Sequence, residues 1–402
     1  MTTDILIKNA KTRSARDKLV NIAIKDGKIQ SIGDNITEDA ISTIDAQGKL
    51  VTESFVNGHL HLCKVYTLKK VGQEALVTYQ GGGMGKAMTA IDLASKVKEQ
   101  YDEKWIIENV RTALKLAIKY GNTHIRALAD TDTKAKLEGV KALLRAKEEF
   151  KDSVELQIVA FPQDGIVKDP GAESYVRQAM ALGADVVGGI PWIEYTDAHC
   201  QKHIDAMFDL ATEFDKDVSM LIDDAGDAGL RTLEMLAVKT IKEGWEGRVL
   251  VHHARAMQLY PEPYFEKILA LLKQARIGVV SDPQTGPLHA RVRDLYDYGI
   301  AVSLGQDDIS DAYYPYGRNN MLEVAFLASH LLWMTTYAEM EILYDLITTH
   351  AARAMAIEDF DMQAGNRANL VVLDAEEVCE ALTYHAAPLH VIKDGKEVTL
   401  TS

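Results

Sequence analysis

Eight short apolar segments, spaced through the middle of the chain and separated by stretches of helical periodicity, constrain this sequence more than any other feature. They are SFVNGHLHL (54–62), NTHIRALAD (122–130), ELQIVAFPQ (155–163), ADVVGGIPW (184–192), KDVSMLIDD (216–224), GRVLVHHA (247–254), IGVVSDPQ (277–284) and IAVSLGQDD (300–308). Between them lie segments such as AESYVRQAMALG, HIDAMFDLATEF and EPYFEKILALLKQA, whose apolar residues recur at helical spacing. A parallel strand buried on both faces reads as a continuous apolar run. Eight of them, each followed by a helix, are what a (β/α)8 barrel needs. A doubly wound open sheet would be the competing arrangement, but no G-x-G-x-x-G follows the first strand. The expected fold class is α/β, with a TIM-like barrel over residues 55–365.

Both ends read differently. DILIKNA, LVNIAIKDGKIQSIG and STIDAQGKLV alternate apolar and polar residues, and the far end repeats the theme in ANLVVLDAE and HVIKDGKEVTL. Each K-D-G marks a hairpin turn. Residues 1–54 plus 366–402 are therefore expected to assemble one small β-sandwich from both termini. The glycine-rich YQGGGMGKAM (79–88) fails as a phosphate loop, because G-x-x-x-x-G-K-[ST] would need glycine at Gln80 and a hydroxyl at Ala87. A flexible loop over the barrel mouth is the better reading.

Composition sets the setting. Lys+Arg 44 against Asp+Glu 59 gives a net charge of −15, which argues against nonspecific nucleic-acid binding. No apolar run approaches the roughly 18–20 residues of a bilayer span, and MTTDILIKNAKT lacks a basic segment leading into an apolar one. Three scattered cysteines, Cys63, Cys200 and Cys379, fit a reducing cytosol better than a disulfide framework. The expectation is a cytoplasmic protein with neither a nucleic-acid nor a membrane partner.

In such a barrel the strands' C-terminal ends carry the chemistry. Read in order, those ends hold His59 and His61, Asp130, Gln163, Asp223 and Asp224, His252 and His253, Asp282, then Asp307 and Asp308. Buried strands have no structural need for so many ionisable groups at one rim. His59 and His61 face the same way from one strand, about 6–7 Å apart at Cα, which suits two imidazole ligands on Zn²⁺ or Fe²⁺. The eighth strand closes beside the first, so Asp307 reaches the same ion. By alternation, only one of His252 and His253 is expected in the site, and register favours His253. Asp223 and Asp224 could cap the next helix, but with a carboxylate already beside the proposed ion one of the two is expected to act in the site. Lys64 would meet substrate, Arg255 an anionic group of it, Cys63 would fill core and His124 would be structural.

These residues, with LQIVAFPQDG, ADVVGGIPWIEYT, RVLVHHARAM and LGQDDISDAYYPYGRNNML, resemble the amidohydrolase superfamily in its cytosine deaminase branch across nearly the whole chain. The resemblance implies hydroxide activated by one divalent ion, zinc or iron, attacking a ring carbon that carries an amino or amide nitrogen. It makes His59, His61 and Asp307 metal ligands. Gln163 and Asp308 would hold a small heterocyclic substrate such as a pyrimidine or triazine. His253 would contact the hydroxide and Asp224 would move the proton. Lys64 follows the isopropylaminohydrolase pattern, and Tyr313 stands where a tryptophan lines the family's substrate pocket. Relatives form homo-oligomers, so one is expected here. The sequence also departs from the pattern: Leu221 replaces a ligand histidine on the fifth strand, Asp224 a catalytic glutamate, and Gln306 a histidine. Ring-opening hydrolysis of a cyclic amide, or a catalytically lapsed binding homologue, are the competing functions.

Overall fold

A computed structural model describes residues 2–36, 39–72, 74, 76–78, 87–286 and 288–399. The chain opens with β1 (Thr3–Thr12), β2 (Ala15–Lys25), β3 (Lys28–Gly33) and β4 (Ala40–Asp45), one sheet in the order β3-β2-β1-β4. A short β5 (Val51–Glu53) leads into eight parallel strands. These are β6 (Phe55–Leu60), β7 (Asn122–Asp130), β8 (Glu155–Phe161), β9 (Val186–Gly189), β10 (Asp217–Ile222), β11 (Val249–His253), β12 (Gly278–Ser281) and β13 (Val302–Leu304), each hydrogen-bonded to the next. Finally β14 (Leu370–Val372), β15 (His390–Lys393) and β16 (Lys396–Glu397) join β5 in a sheet of order β16-β15-β14-β5.

All eight predicted barrel segments form strands, and every residue of β6 and β7 is buried, as helices on the outer face require. Ile106, Val110, Ala113, Leu114 and Ala117 line the inner stripe of the helix Glu103–Lys119, which Asp102 caps by accepting from Lys104 N. The helix Asp197–Phe214 is capped likewise by Thr196. Closure comes from backbone hydrogen bonds past the end of β13. His61 N donates to Asp307 O at 2.8 Å, and Asp307 N donates to His59 O at 2.9 Å. That single closure sets the carboxylate of Asp307 beside both imidazoles.

The terminal sheets share an apolar core that includes Ile5, Ile22, Ile24 and Ile44 from one end of the chain and Leu370, Val372 and Ile392 from the other. Both K-D-G turns hold their central residues at positive φ, with Asp26 at 50°, Gly27 at 79°, Asp394 at 46° and Gly395 at 72°, the geometry of two-residue hairpins. The turns meet: a Cβ on Gly395 would fall 2.6 Å from Gly27 Cα. The expected glycine-rich loop at 79–88 lies almost wholly outside the described residues. No described helix is long and apolar enough to cross a membrane.

Candidate functional site

His59 and His61 leave the end of β6 fully buried or nearly so, and their Nε2 atoms face Asp307 Oδ1 at 3.0 Å and 3.5 Å. Ligands on one tetrahedral ion, with nitrogen and oxygen about 2.0–2.1 Å from it, stand about 3.3 Å apart, and each imidazole meets Asp307 near that spacing; the donors within 4.8 Å of one another form two sets that share Asp307, His59 with His253 and Asp282, and His61 with Asp308. Their charge states differ: burial opposes charge on His59, but Asp282 and Asp307 overcome it and raise its imidazole above the usual range. Burial, with Lys64 and His59 nearby, holds His61 well below the usual imidazole range and therefore neutral. Burial disfavours charge on Asp307, but the imidazole of His59 beside it outweighs this and holds the carboxyl well below the usual carboxylate range. Asn57 ties this closure together: its Oδ1 accepts from His59 N at 3.2 Å and Gln306 N at 3.1 Å, and its Nδ2 donates to Asn319 at 3.1 Å.

Strand β11 corrects the expectation that His252 turns away from the site. Both its histidines meet the His59 ring, at centroid distances of 4.5 Å for His252 and 5.0 Å for His253. Alternation fails because His253 and Ala254 adopt left-handed backbone, φ 65° and 46°. His252 lies within the barrel, linked to His59 Nδ1 at 2.7 Å and Ser219 Oγ at 2.6 Å. His253 reaches the cavity, with Nδ1 3.2 Å from Asp282 Oδ2 and Nε2 3.9 Å from Asp224 Oδ2.

The two aspartates after β10 take different surroundings. Asp223 caps the helix Thr232–Glu243, accepting from Thr232 N and Oγ1, from Leu233 N at 3.2 Å and from the Tyr260 hydroxyl at 2.9 Å. Asp224 lines the cavity, and burial raises its carboxyl to about 6 despite the opposing Arg255. Arg255, almost wholly buried, points Nε at Asp224 Oδ1 across 3.2 Å and places its Nη2 4.0 Å from Asp307 Oδ2.

Across the cavity stand the other residues singled out from sequence. Lys64 Nζ donates to Gln163 Oε1 and lies 3.7 Å from Asp130; Gln163 Nε2 donates to the Tyr313 hydroxyl at 3.3 Å. Lys64 also sits over the Tyr313 ring, 5.6 Å from its centroid. Burial, reinforced by Asp307 and Asp311, pushes Asp308 well above the usual carboxylate range. Apolar Ile91, Ile190 and Leu221 complete the lining, and the cavity has about 400 Å³ of empty space, counting its open mouth.

Elsewhere the bland readings hold. His124 bonds Thr123 and faces Glu155 at 3.6 Å. Cys63 accepts from Asp130 N, and burial pushes its thiol up, away from the thiolate a metal would need. Residue spacing gave no sign of the bracing role of Asn57, and strand alternation misplaced His252.

The amidohydrolase family matches residues 42–399. N-isopropylammelide isopropyl amidohydrolase of Pseudomonas sp. (strain ADP) is 30% identical over 394 residues, covering 98% of this chain and 96% of that protein. The structure of 5-methylcytosine deaminase from Klebsiella pneumoniae, liganded with 5-fluorocytosine, superposes with a TM-score of 0.89 at 30% identity over 99% and 98% of the two chains. That of N-isopropylammelide isopropylaminohydrolase from Burkholderia multivorans gives 0.83 at 24% identity, again over 99% and 98%, and speaks for the fold.

Proposed function

Because this chain belongs to the amidohydrolase family, we infer that it hydrolyses a C–N bond of a small nitrogen heterocycle, removing an amino or alkylamino group. The carrying observation is Asp307 held between His59 and His61 at 3.0 Å and 3.5 Å by the hydrogen bonds that close the barrel. Those three residues would hold one divalent ion, zinc or iron. When bound, the ion supplies Lewis acidity that makes water nucleophilic at neutral pH.

The remaining work falls to the chain's own side chains. His253, kept uncharged mainly by burial and by Arg255, offers Nε2 to the attacking oxygen beside the Asp224 carboxylate. Asp224, at about 6, is ionised at neutral pH yet basic enough to take the water proton and return it to the departing nitrogen. Arg255 keeps that carboxylate aimed. Gln163, Asp308 and the Tyr313 ring would hold the heterocycle flat, with Lys64 fixing the Gln163 amide so that Nε2 faces the cavity side. An exocyclic amine of the ring would donate to Asp308.

Purified protein incubated with aminated oxopyrimidines and oxotriazines is expected to release ammonia or alkylamine, with one equivalent of metal per chain. His61→Ala is expected to lose both. Turnover that survives without metal refutes the scheme, and a new carboxylate without amine indicates ring opening. Metal-free protein that binds such rings and leaves them intact indicates a lapsed site. The proposal includes a cytoplasmic homo-oligomer; the free cysteines Cys63, Cys200 and Cys379 fit a reducing compartment, and solution mass tests the assembly.

A further inference from the structure

The family pattern leaves a gap at the fifth strand. Leu221 has no donor atom, and it packs among Leu128, Val159, Phe161, Val186 and Ile190. Neither neighbouring aspartate fills the gap: Asp223 is consumed by the helix it caps, and Asp224 faces Arg255. The opposite wall supplies what is missing. Single donor atoms of His59, His253, Asp282 and Asp307 lie within 4.8 Å of one another, all four residues buried.

Asp282 is placed there by construction. Pro283 restricts it to extended backbone, φ −118° and ψ 88°, directly after β12. Gly305 on the adjoining segment makes room, since a Cβ there would fall 2.2 Å from Asp282 Oδ1 and 2.6 Å from His59 Cβ. His59 Nε2, fully buried, faces Asp307 Oδ1 at 3.0 Å. Around these imidazoles three carboxyls gather: Asp224 and Asp307 face the Arg255 guanidinium at 3.2 Å and 4.0 Å, and Asp282 faces His253 Nδ1 at 3.2 Å. Such an excess of buried acid is expensive unless a cation offsets it.

We propose that Asp282 is a ligand of the divalent ion, replacing from the seventh strand the donor lost at Leu221. This rests on the preceding reading that His59, His61 and Asp307 hold one ion. The set it creates has two carboxylates rather than one, harder and more anionic than an imidazole-rich site.

The test compares wild type, Asp282→Asn and the double variant Asp282→Asn/Leu221→His, each loaded with Zn²⁺ or Co²⁺, by metal analysis, chelator competition and the Co²⁺ visible spectrum. Loss of an outer-sphere partner alone weakens metal affinity about 10–100-fold, so Asp282→Asn is expected to weaken it by at least about 100-fold and to change the Co²⁺ band. Leu221→His is expected to restore part of the affinity. Asp282→Asn that holds the ion as tightly as wild type, with an unchanged Co²⁺ spectrum, overturns the assignment while leaving the hydrolase reading intact. Wild type that takes up no metal overturns both. If the variant does not fold, anomalous diffraction from zinc-loaded wild type decides instead. An Asp282 oxygen about 2.0–2.2 Å from the ion supports the assignment, and one beyond about 3 Å overturns it.

Discussion

Replacing Asp224 by asparagine is expected to remove activity and, at neutral pH, to stabilise the metal-free protein. Burial raises this carboxyl from 3.8 to about 6 in the folded chain. One pKa unit corresponds to about 1.36 kcal/mol, so the rise of about two units amounts to about 3 kcal/mol. The sign follows from proton linkage. The folded state binds this proton more tightly than the unfolded state, so the contribution to stability is complete below pH 3.8. It is lost as pH rises through 6, and most of the loss falls between pH 4 and pH 7. The groups facing Asp224 are Arg255 at 3.2 Å, His253 at 3.9 Å, and the charges of Asp307 and His59. Asparagine keeps an oxygen for Arg255 to donate to but has nothing to ionise. Urea unfolding of both proteins in chelator, at half-unit steps from pH 4 to 7, should show the variant gaining on wild type by about 2–3 kcal/mol as pH rises. Taking differences cancels the groups common to both. Turnover should fall about 10²–10⁴-fold, the usual contribution of a positioned acid–base group. A stability difference that stays flat with pH would refute the raised pKa and, with it, the argument for Asp224 as the proton carrier.

Other consequences are simpler to read. Gly305→Ala should destabilise the chain by about 1–3 kcal/mol and weaken Co²⁺ uptake, because the new methyl falls on Asp282 and His59; wild-type values for both would show that the segment yields freely. Gln163→Leu leaves Lys64 and the Tyr313 hydroxyl without their shared partner, so KM should rise about 10-fold or more, with metal content unchanged by elemental analysis. Asp223→Ala removes the cap from Thr232 and Leu233 and the partner of Tyr260. Denaturant midpoints should report a loss of about 2–4 kcal/mol, while the protein that remains folded keeps wild-type KM.

How far the sequence could be read depended on which physical rule governed each residue. Long-range closure was legible because β6 and β13 carry their motifs at strand ends, where barrel topology alone dictates adjacency. His59 and His61 therefore both face the Asp307 carboxylate. The division of labour between Asp223 and Asp224 was legible only as a choice, since both residues satisfy the same local preferences. What decides it is that Asp223 itself is left-handed, φ 45°, and folds its carboxylate back over the following helix. His252 was misjudged for a related reason: two-residue alternation is a property of extended backbone, and it lapses where the strand turns at His253 and Ala254. Asn57 was invisible because its task is to satisfy backbone N–H groups from two ends of the chain, and no residue spacing encodes that.

The same left-handed backbone at Asp223, His253 and Asp307 bears on what this site can evolve. A non-glycine residue held at positive φ is uncommon and costs free energy, of order 1 kcal/mol, unless the surroundings fix it. At each of these strand ends the surroundings do so by sending a hydrogen bond across to the neighbouring strand, as Ala254 N does to Ile222 O at 3.0 Å and Asp307 N to His59 O at 2.9 Å. The donor directions are thus properties of the barrel rather than of the individual side chains. A ligand can then be exchanged between strands, lost at Leu221 and supplied at Asp282, without rebuilding the backbone that aims the others.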